Sequence, residues 1–390
     1  MNIHVSSETL LARLKSVLPK DGYPLALHEP HFIGNEWKYV KDCIESGWVS
    51  SVGGYVDRFE QQLAAYTGAA HAVAVVNGTA ALHICLILAG VKTNDEVIIP
   101  NLTFIATANA VCYCGAIPLL ADSEPDRLGL DAVKLQSFLS DTAELRDGHC
   151  FNKRTGRRIA ALMPMHTFGH PADIEALTRI AEQWHIPMVE DAAESLGSFY
   201  KGQHTGNFGL VAGLSFNGNK VITTGGGGAI LTNSPELARR AKHLTTTARV
   251  PHKWSFIHDK VGYNYRMPNI NAALGCAQLE CLPNFLKCKR DLALRYMIAL
   301  DNLPGVQFLT EPKDSRSNYW LNTLLLDSSP NDRLLNNILE TLNNAGIGAR
   351  PAWVLMSKLP MFTEAPSMDL SVSEDLERRI INIPSGVALG

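Results

Sequence analysis

From about residue 69 the chain switches back and forth between two hydrophobic periods, and that alternation limits its fold more than any other feature. "AAHAVAVV" is a short apolar run of strand type; Asn77-Gly78-Thr79 ends it, and "AALHICLILAGV" continues as a helix. "DEVIIP" and "AIPLLAD" flank the helical "TFIATANAVCYCGA", and "RIAALMPM" and "IPMVED" flank "PADIEALTRIAEQWH". "GLVAGLSF" and "GGAILTN" add a further pair of strands. Strands separated by helices of ten or more residues give βαβ units, hence an α/β fold with a mostly parallel central sheet flanked by helices.

After about residue 250 the pattern changes. "NINAALGCAQLECLPNFLKCKRDLALRYMIALDNL" reads as one long helix with a break near Pro283. Strands at "SNYWLNTLLLD" and "IGARPAWV" and a helix at "DRLLNNILETLNNAG" follow, a pattern suited to a smaller α+β domain. With 390 residues the chain exceeds one small core. The expected division is an N-terminal helix and arm over 1–25, a large α/β domain over 26–250 and a small C-terminal α+β domain over 251–390. A net charge of -3 provides no basic field for nucleic acid. The eight cysteines lack paired zinc spacing, so no metal site is expected and they read as reduced thiols. No apolar run is long enough to span a bilayer, and "MNIHVSSETLLARLKS" has no secretory character. The expected setting is the cytoplasm.

Ligands of open α/β sheets bind at the carboxyl ends of the strands, and three chemistry-bearing segments fall there. In "VVNGTAAL" a strand gives way to a helix whose N-terminal N–H groups, at Gly78 and Thr79, suit a phosphate; a plain turn with an N-cap is the competing reading. In "IPMVEDAAESLGS" the pair Glu190 and Asp191 closes an apolar strand. A carboxylate there is costly unless it meets a cation, such as a protonated pyridine nitrogen; a helix N-cap is again the alternative. In "SFNGNKVITTGGGGAIL", Lys220 lies between Ser215 and four glycines. A nucleotide P-loop needs Gly before the lysine and Ser or Thr after it, but here Asn219 and Val221 stand there. A surface lysine beside a flexible turn remains possible on this segment alone. Taken together and in order, phosphate cradle, carboxylate and lysine are what pyridoxal phosphate requires, with Phe104 in "PNLTFIATANA" as an aromatic for the ring face.

Beyond these segments, "GWVSSVGGYVDRFE", "NGTAALH", "PNLTFIATANAV", "MHTFGHPADI", "VEDAAESLGS", "SFNGNKVITTGGGGAI" and "GYNYRMPNINAALGCAQLE" occur in one order. In this the chain resembles the sugar aminotransferases of the DegT/DnrJ/EryC1/StrS family over nearly its whole length. The resemblance implies a fold type I pyridoxal phosphate-dependent transferase and a homodimer with shared active sites. It implies Lys220 as the lysine bonded to the cofactor, Asp191 on the ring nitrogen and Phe104 on the ring. Gly78, Thr79 and Ser215 would hold the phosphate, joined by Asn264 from the partner subunit. Glu194 stands where many members carry glutamine, near the ring hydroxyl, and His166 stands in the "H-x-x-G" segment bordering the substrate. The family's dehydratase branch has histidine at the lysine position, so Lys220 favours transamination.

"PLALHEPHFIGNEWKYVKDCIESGWVSSVG", "RPAWVLMSKLPMF" and "RIINIPSG" resemble 4-aminosugar synthases of legionaminic acid or bacillosamine-type pathways. That implies a nucleotide-linked 4-keto-6-deoxy, 2-acetamido hexose as acceptor and L-glutamate as amino donor, for surface glycan biosynthesis. Candidate sugar-nucleotide contacts are Trp48, Ser50, Ser51, Tyr319, Trp320, Arg350 and Trp353, with core packing the competing reading for the two tryptophans of the C-terminal segment. The rivals are an amino-acid aminotransferase, in which Arg266 or Arg350 grips a second carboxylate, a dehydratase relative, and a non-catalytic cofactor-bound sensor. The last usually appends a nucleic-acid-binding domain, of which the sequence holds no trace.

Overall fold

The computed structural model describes residues 5–327 and 332–390. Residues 1–4 of the expected N-terminal arm and 328–331 of the C-terminal segment lie outside the described residues.

The alternation after residue 69 builds one large sheet. Its strands are β1 (His71–Val75), β2 (Glu96–Pro100), β3 (Ile117–Ala121), β4 (Ile159–Leu162), β5 (Val189–Asp191), β6 (Val211–Ser215) and β7 (Gly228–Thr232). They run across the sheet as β1-β7-β6-β5, continuing through parallel bridges at Leu162–Met188 and Met165–Asp191 to β4-β2-β3. Only β7 runs against its neighbours, pairing antiparallel with both β1 and β6. The sheet is mostly parallel, as the apolar runs imply, because strands covered on both faces by helices need no polar alternation. Val73, Val75, Val97, Ile99, Val189 and Ile230 are all buried in one core cluster with helix α2 (Gly78–Leu88).

The strand order has a consequence for chemistry. Since β1, β5 and β6 point the same way, Val75, Asp191 and Ser215 end at one edge, and Gly228 at the start of β7 lies opposite both Val75 and Ser215. Helix α3 (Ile105–Tyr113) follows β2, and α4 (Ile174–Gln183) leads to β5.

Helix α5 spans Asn269–Leu300 without interruption. The break expected at Pro283 is absent. Proline there leaves the Leu279 carbonyl without its i+4 donor, but Leu279, Leu282, Phe285 and Leu286 on either side are buried in one cluster, and that packing carries the helix through. A second, antiparallel sheet lies beyond α5, in the order β8 (Val306–Phe308), β9 (Asn322–Leu326), β11 (Ile380–Ile383) and β10 (Arg350–Pro351). The N-terminal helix α1 (Ser7–Val17), capped by Ser6 Oγ, buries Leu10 and Leu14 among Leu292, Tyr296 and Leu342 of this same region. Among the described residues no helix is long and apolar enough to cross a membrane.

Candidate active site

The converging strand ends enclose a cavity of about 290 Å³. Lys220, Asp191, Glu194, Ser215, Gly78, Thr79, Phe104 and Trp320 all line it. Five distant stretches of sequence thus meet at one cavity: four follow or end strands of the large sheet, and Trp320 precedes β9 of the second.

At one end of the cavity, the Asn77 side chain caps α2 by accepting from the Ala80 N–H at 2.8 Å. That leaves the first-turn N–H groups of Gly78 and Thr79 as the donors that a helix start directs outward. Ser215 sits against this turn so closely that a Cβ on Gly78 would lie 2.8 Å from the Ser215 Cβ. A Cβ on Gly228 would lie 2.5 Å from the Asn77 carbonyl. Glycine is required at both positions for helix start and strand ends to meet. The product is a small cradle of N–H and hydroxyl donors fit for a phosphate.

Asp191 is buried at the cavity floor. Its Oδ2 accepts from the Thr107 hydroxyl at 2.7 Å and its Oδ1 from the Ala193 N–H at 3.2 Å. Burial pushes its carboxyl above the ordinary value, although these two donors and the Lys220 charge pull the other way. A carboxyl so placed is one that a cation in the cavity would stabilise. Glu190, its neighbour, points to the other side of the strand. Burial alone would raise it, but the His166 imidazole and the Gly209 and Gly206 N–H groups outweigh this and hold it below the usual range. Glu190 is therefore a structural carboxylate outside the cavity.

Glu194 is buried too. Its Oε2 accepts from the Phe168 N–H at 2.9 Å, and Lys220 Nζ stands 3.4 Å from Oε1. Burial raises it to about 7, against the influence of Lys220 and the Phe168 N–H. Phe168 has a φ of +54°, rare for an aromatic residue, and is locked in the core beside Trp353 at 4.8 Å. Lys220 Nζ also lies 3.9 Å from the Trp320 ring centre. Phe104 stands half-exposed at the rim, edge-on to Trp353 at 6.2 Å.

Several expected substrate contacts lie elsewhere. Tyr319 is buried outside the cavity: its backbone turns through a φ of +47°, sending its ring between His170 and Phe308 while Trp320 faces the cavity. Arg350 is exposed on β10 and bonds Asn343 Oδ1 at 3.0 Å. His166 is buried behind the floor. Its Nδ1 accepts from the Ala172 N–H, so its proton is on Nε2, donated to Glu190. Trp48 and Ser51 border a different, open depression with Arg266 and Lys242. The Ser50 carbonyl accepts from the Asn269 N–H, and exposed Asn264 is outside this chain's own cavity. Thr107 and Phe168, which touch the two cavity carboxyls, escaped the sequence reading. Thr107 lies one turn beyond Phe104 in "TFIATANA", a spacing that brings it to the same helix start.

The residues present fit pyridoxal phosphate: a donor cradle that glycine keeps open, a buried carboxyl calling for a cation, and a lysine between them. Comparison with known proteins agrees. The model of the DegT/DnrJ/EryC1/StrS aminotransferase family matches residues 31–390. The GDP-perosamine synthase of Escherichia coli O157:H7 is 35% identical over 362 residues, covering 93% of each chain. That of Caulobacter vibrioides is 35% identical over 373 residues, covering 94% of each. A DegT/DnrJ/EryC1/StrS aminotransferase from Brucella abortus has a similar crystal structure, with a TM-score of 0.81, 27% identity and 91% of each chain covered. The chain belongs to the DegT/DnrJ/EryC1/StrS family and is a pyridoxal phosphate-dependent aminotransferase.

Proposed function

We propose that this aminotransferase moves the amino group of L-glutamate to the C4 ketone of a nucleotide-linked 4-keto-6-deoxy hexose, giving a 4-amino sugar for surface glycan. The observation that carries the reading is Lys220 in one cavity with Asp191 and the Gly78–Thr79 helix start. The sugar class is supported by relatives named GDP-perosamine synthase, after a 4-amino sugar.

Bound pyridoxal phosphate supplies the aldehyde that carries nitrogen and a ring that withdraws electrons from the bond being broken. Gly78, Thr79 and Ser215 would take its phosphate, Asp191 would keep its ring nitrogen protonated, and Lys220 would hold it covalently until the amino donor takes the lysine's place. The Lys220 amine freed in that exchange would be the base that takes the proton from Cα of the amino donor, and the acid that delivers one to C4 of the sugar. Glu194 holds the orientation of the Lys220 end of the cavity, and Phe104 covers the mouth.

Exposed Trp48 and Val52, which border one open depression, support a homodimer, since neighbouring exposed apolar residues mark a partner surface. In that dimer Asn264, Trp48, Ser50 and Ser51 would serve the partner's site. Against the amino-acid aminotransferase reading, Arg350 does not line the cavity; Arg266 lies with Trp48 and Ser51 in the depression assigned to the partner's site, so the substrate screen separates the two readings.

Adding L-glutamate to the cofactor-loaded protein should bleach its visible absorption. Once glutamate and its 2-oxo product are removed, 4-keto sugar nucleotides should restore it, in a screen including both 2-acetamido and 2-hydroxy sugars; 2-oxoglutarate should restore it too, by reversal of the first half-reaction. Absorption indifferent to glutamate, or restored by no 4-keto sugar nucleotide, would refute this function.

A further inference from the structure

Lys289 is fully buried in the second half of α5, and among the described residues no acidic group bonds it. Its Nζ donates to the Ser385 carbonyl at 2.6 Å and the Trp320 carbonyl at 3.2 Å. Such a lysine is costly to keep, and burial alone lowers it to about 7. The titratable group packed near it is His28, also buried, whose own value falls through burial and the charges of Lys289 and Lys220. A leucine or methionine would fill the same space without this cost.

What the lysine grips explains why it is there. Trp320 precedes β9 and Ser385 follows β11, so Lys289 ties the segment entering β9, which lines the cavity, to the segment leaving β11. Trp320 is held at three further points. Its N–H donates to Asn318 Oδ1 at 2.8 Å, its indole Nε1 donates to the Asn219 carbonyl at 2.7 Å, and its ring faces Lys220. The preceding residue, Tyr319, is in the left-handed region, so this segment is a backbone held away from its preferred shape. Without a donor on Lys289, two buried carbonyls would be left unpaired at the base of that segment.

We propose that Lys289 is a positioning residue for the transamination: by fixing the Trp320 carbonyl it sets the indole that faces Lys220 and clamps the backbone just before it. The inference rests on the reading of Lys220 as the cofactor lysine. A tilted indole would lose its attraction for positive charge on the Lys220 nitrogen.

The test uses cofactor-loaded protein and two readouts that do not depend on turnover. In Lys289→Met, the pH midpoint of the visible cofactor band should fall by about half a unit, the size of one cation–π contact. Amide hydrogen exchange in the segment 318–322 should also speed up. In a Trp320→Leu background the Lys289→Met change should add no further shift. If Lys289→Met fails to fold, Lys289→Gln, with a donor on a stem one bond shorter, should show a smaller shift of the same sign. A normal band with an unmoved midpoint, or an equal shift with Trp320 already gone, overturns the role of Lys289 alone. A wild-type protein whose band does not respond to borohydride instead refutes the Lys220 reading on which it rests.

Discussion

Lys220 Nζ lies 3.4 Å from Glu194 Oε1 and 3.9 Å from the Trp320 ring centre. The amine thus contacts both a buried carboxyl and an indole face, the two side chains placed to orient it for the bond to an aldehyde.

Replacing Lys220 with alanine should abolish the visible cofactor band and steady-state transamination together. Measured turnover in Lys220→Ala comparable to wild type would remove Lys220 from the role proposed here.

Asp191→Asn keeps the shape and the Thr107 contact but cannot hold a cation. Turnover should fall by roughly 10²–10⁴-fold, the usual range for a displaced proton-holding group. The melting temperature of the cofactor-free protein should hold or rise, because a buried carboxyl that burial disfavours is gone. Unchanged kcat would show that Asp191 is only a cap.

Glu194 gives a pH dependence with a definite sign. Its proton is bound more tightly in the folded protein, at about 7 against a reference of 4.5. The stabilisation is complete below the reference value and is lost as pH rises through about 7. Cofactor-free wild type should therefore lose stability relative to Glu194→Gln between pH 5 and 8, by on the order of 3 kcal/mol. Denaturant melts of both proteins at several pH values check this; parallel curves would contradict it.

Gly78→Ala should weaken cofactor retention more than it weakens the fold. The new Cβ meets the Ser215 Cβ at 2.8 Å, so helix start and strand end must part. An overpacking cost of about 1–3 kcal/mol is expected, together with a higher dissociation constant for pyridoxal phosphate, measured by titrating absorbance.

Much of this was legible in the sequence. The apolar runs at "AVAVV", "EVIIP" and "VAGLS" became strands of one sheet, and the residues just past their ends came to one cavity. Local pattern suffices there because period and turn chemistry are local properties. What escaped depends on long-range packing. The alternation does not show that β7 reverses, placing Gly228 against Asn77. Pro283 looks like a break, and only the buried flank around it shows otherwise. Tyr319 and Trp320 are alike as neighbouring aromatics in sequence, but a φ of +47° sends one to the core and the other to the cavity. Lys289 looks like one more surface lysine, since nothing local marks it as buried.

That Lys220 carries the cofactor can be tested in one step. The protein loaded with pyridoxal phosphate is reduced with borohydride, digested and mapped by mass spectrometry. The cofactor's mass is expected on the peptide containing Lys220 and on no other lysine peptide in stoichiometric amount. Cofactor mass on Lys289 or another lysine, or none despite a saturating load, would contradict it.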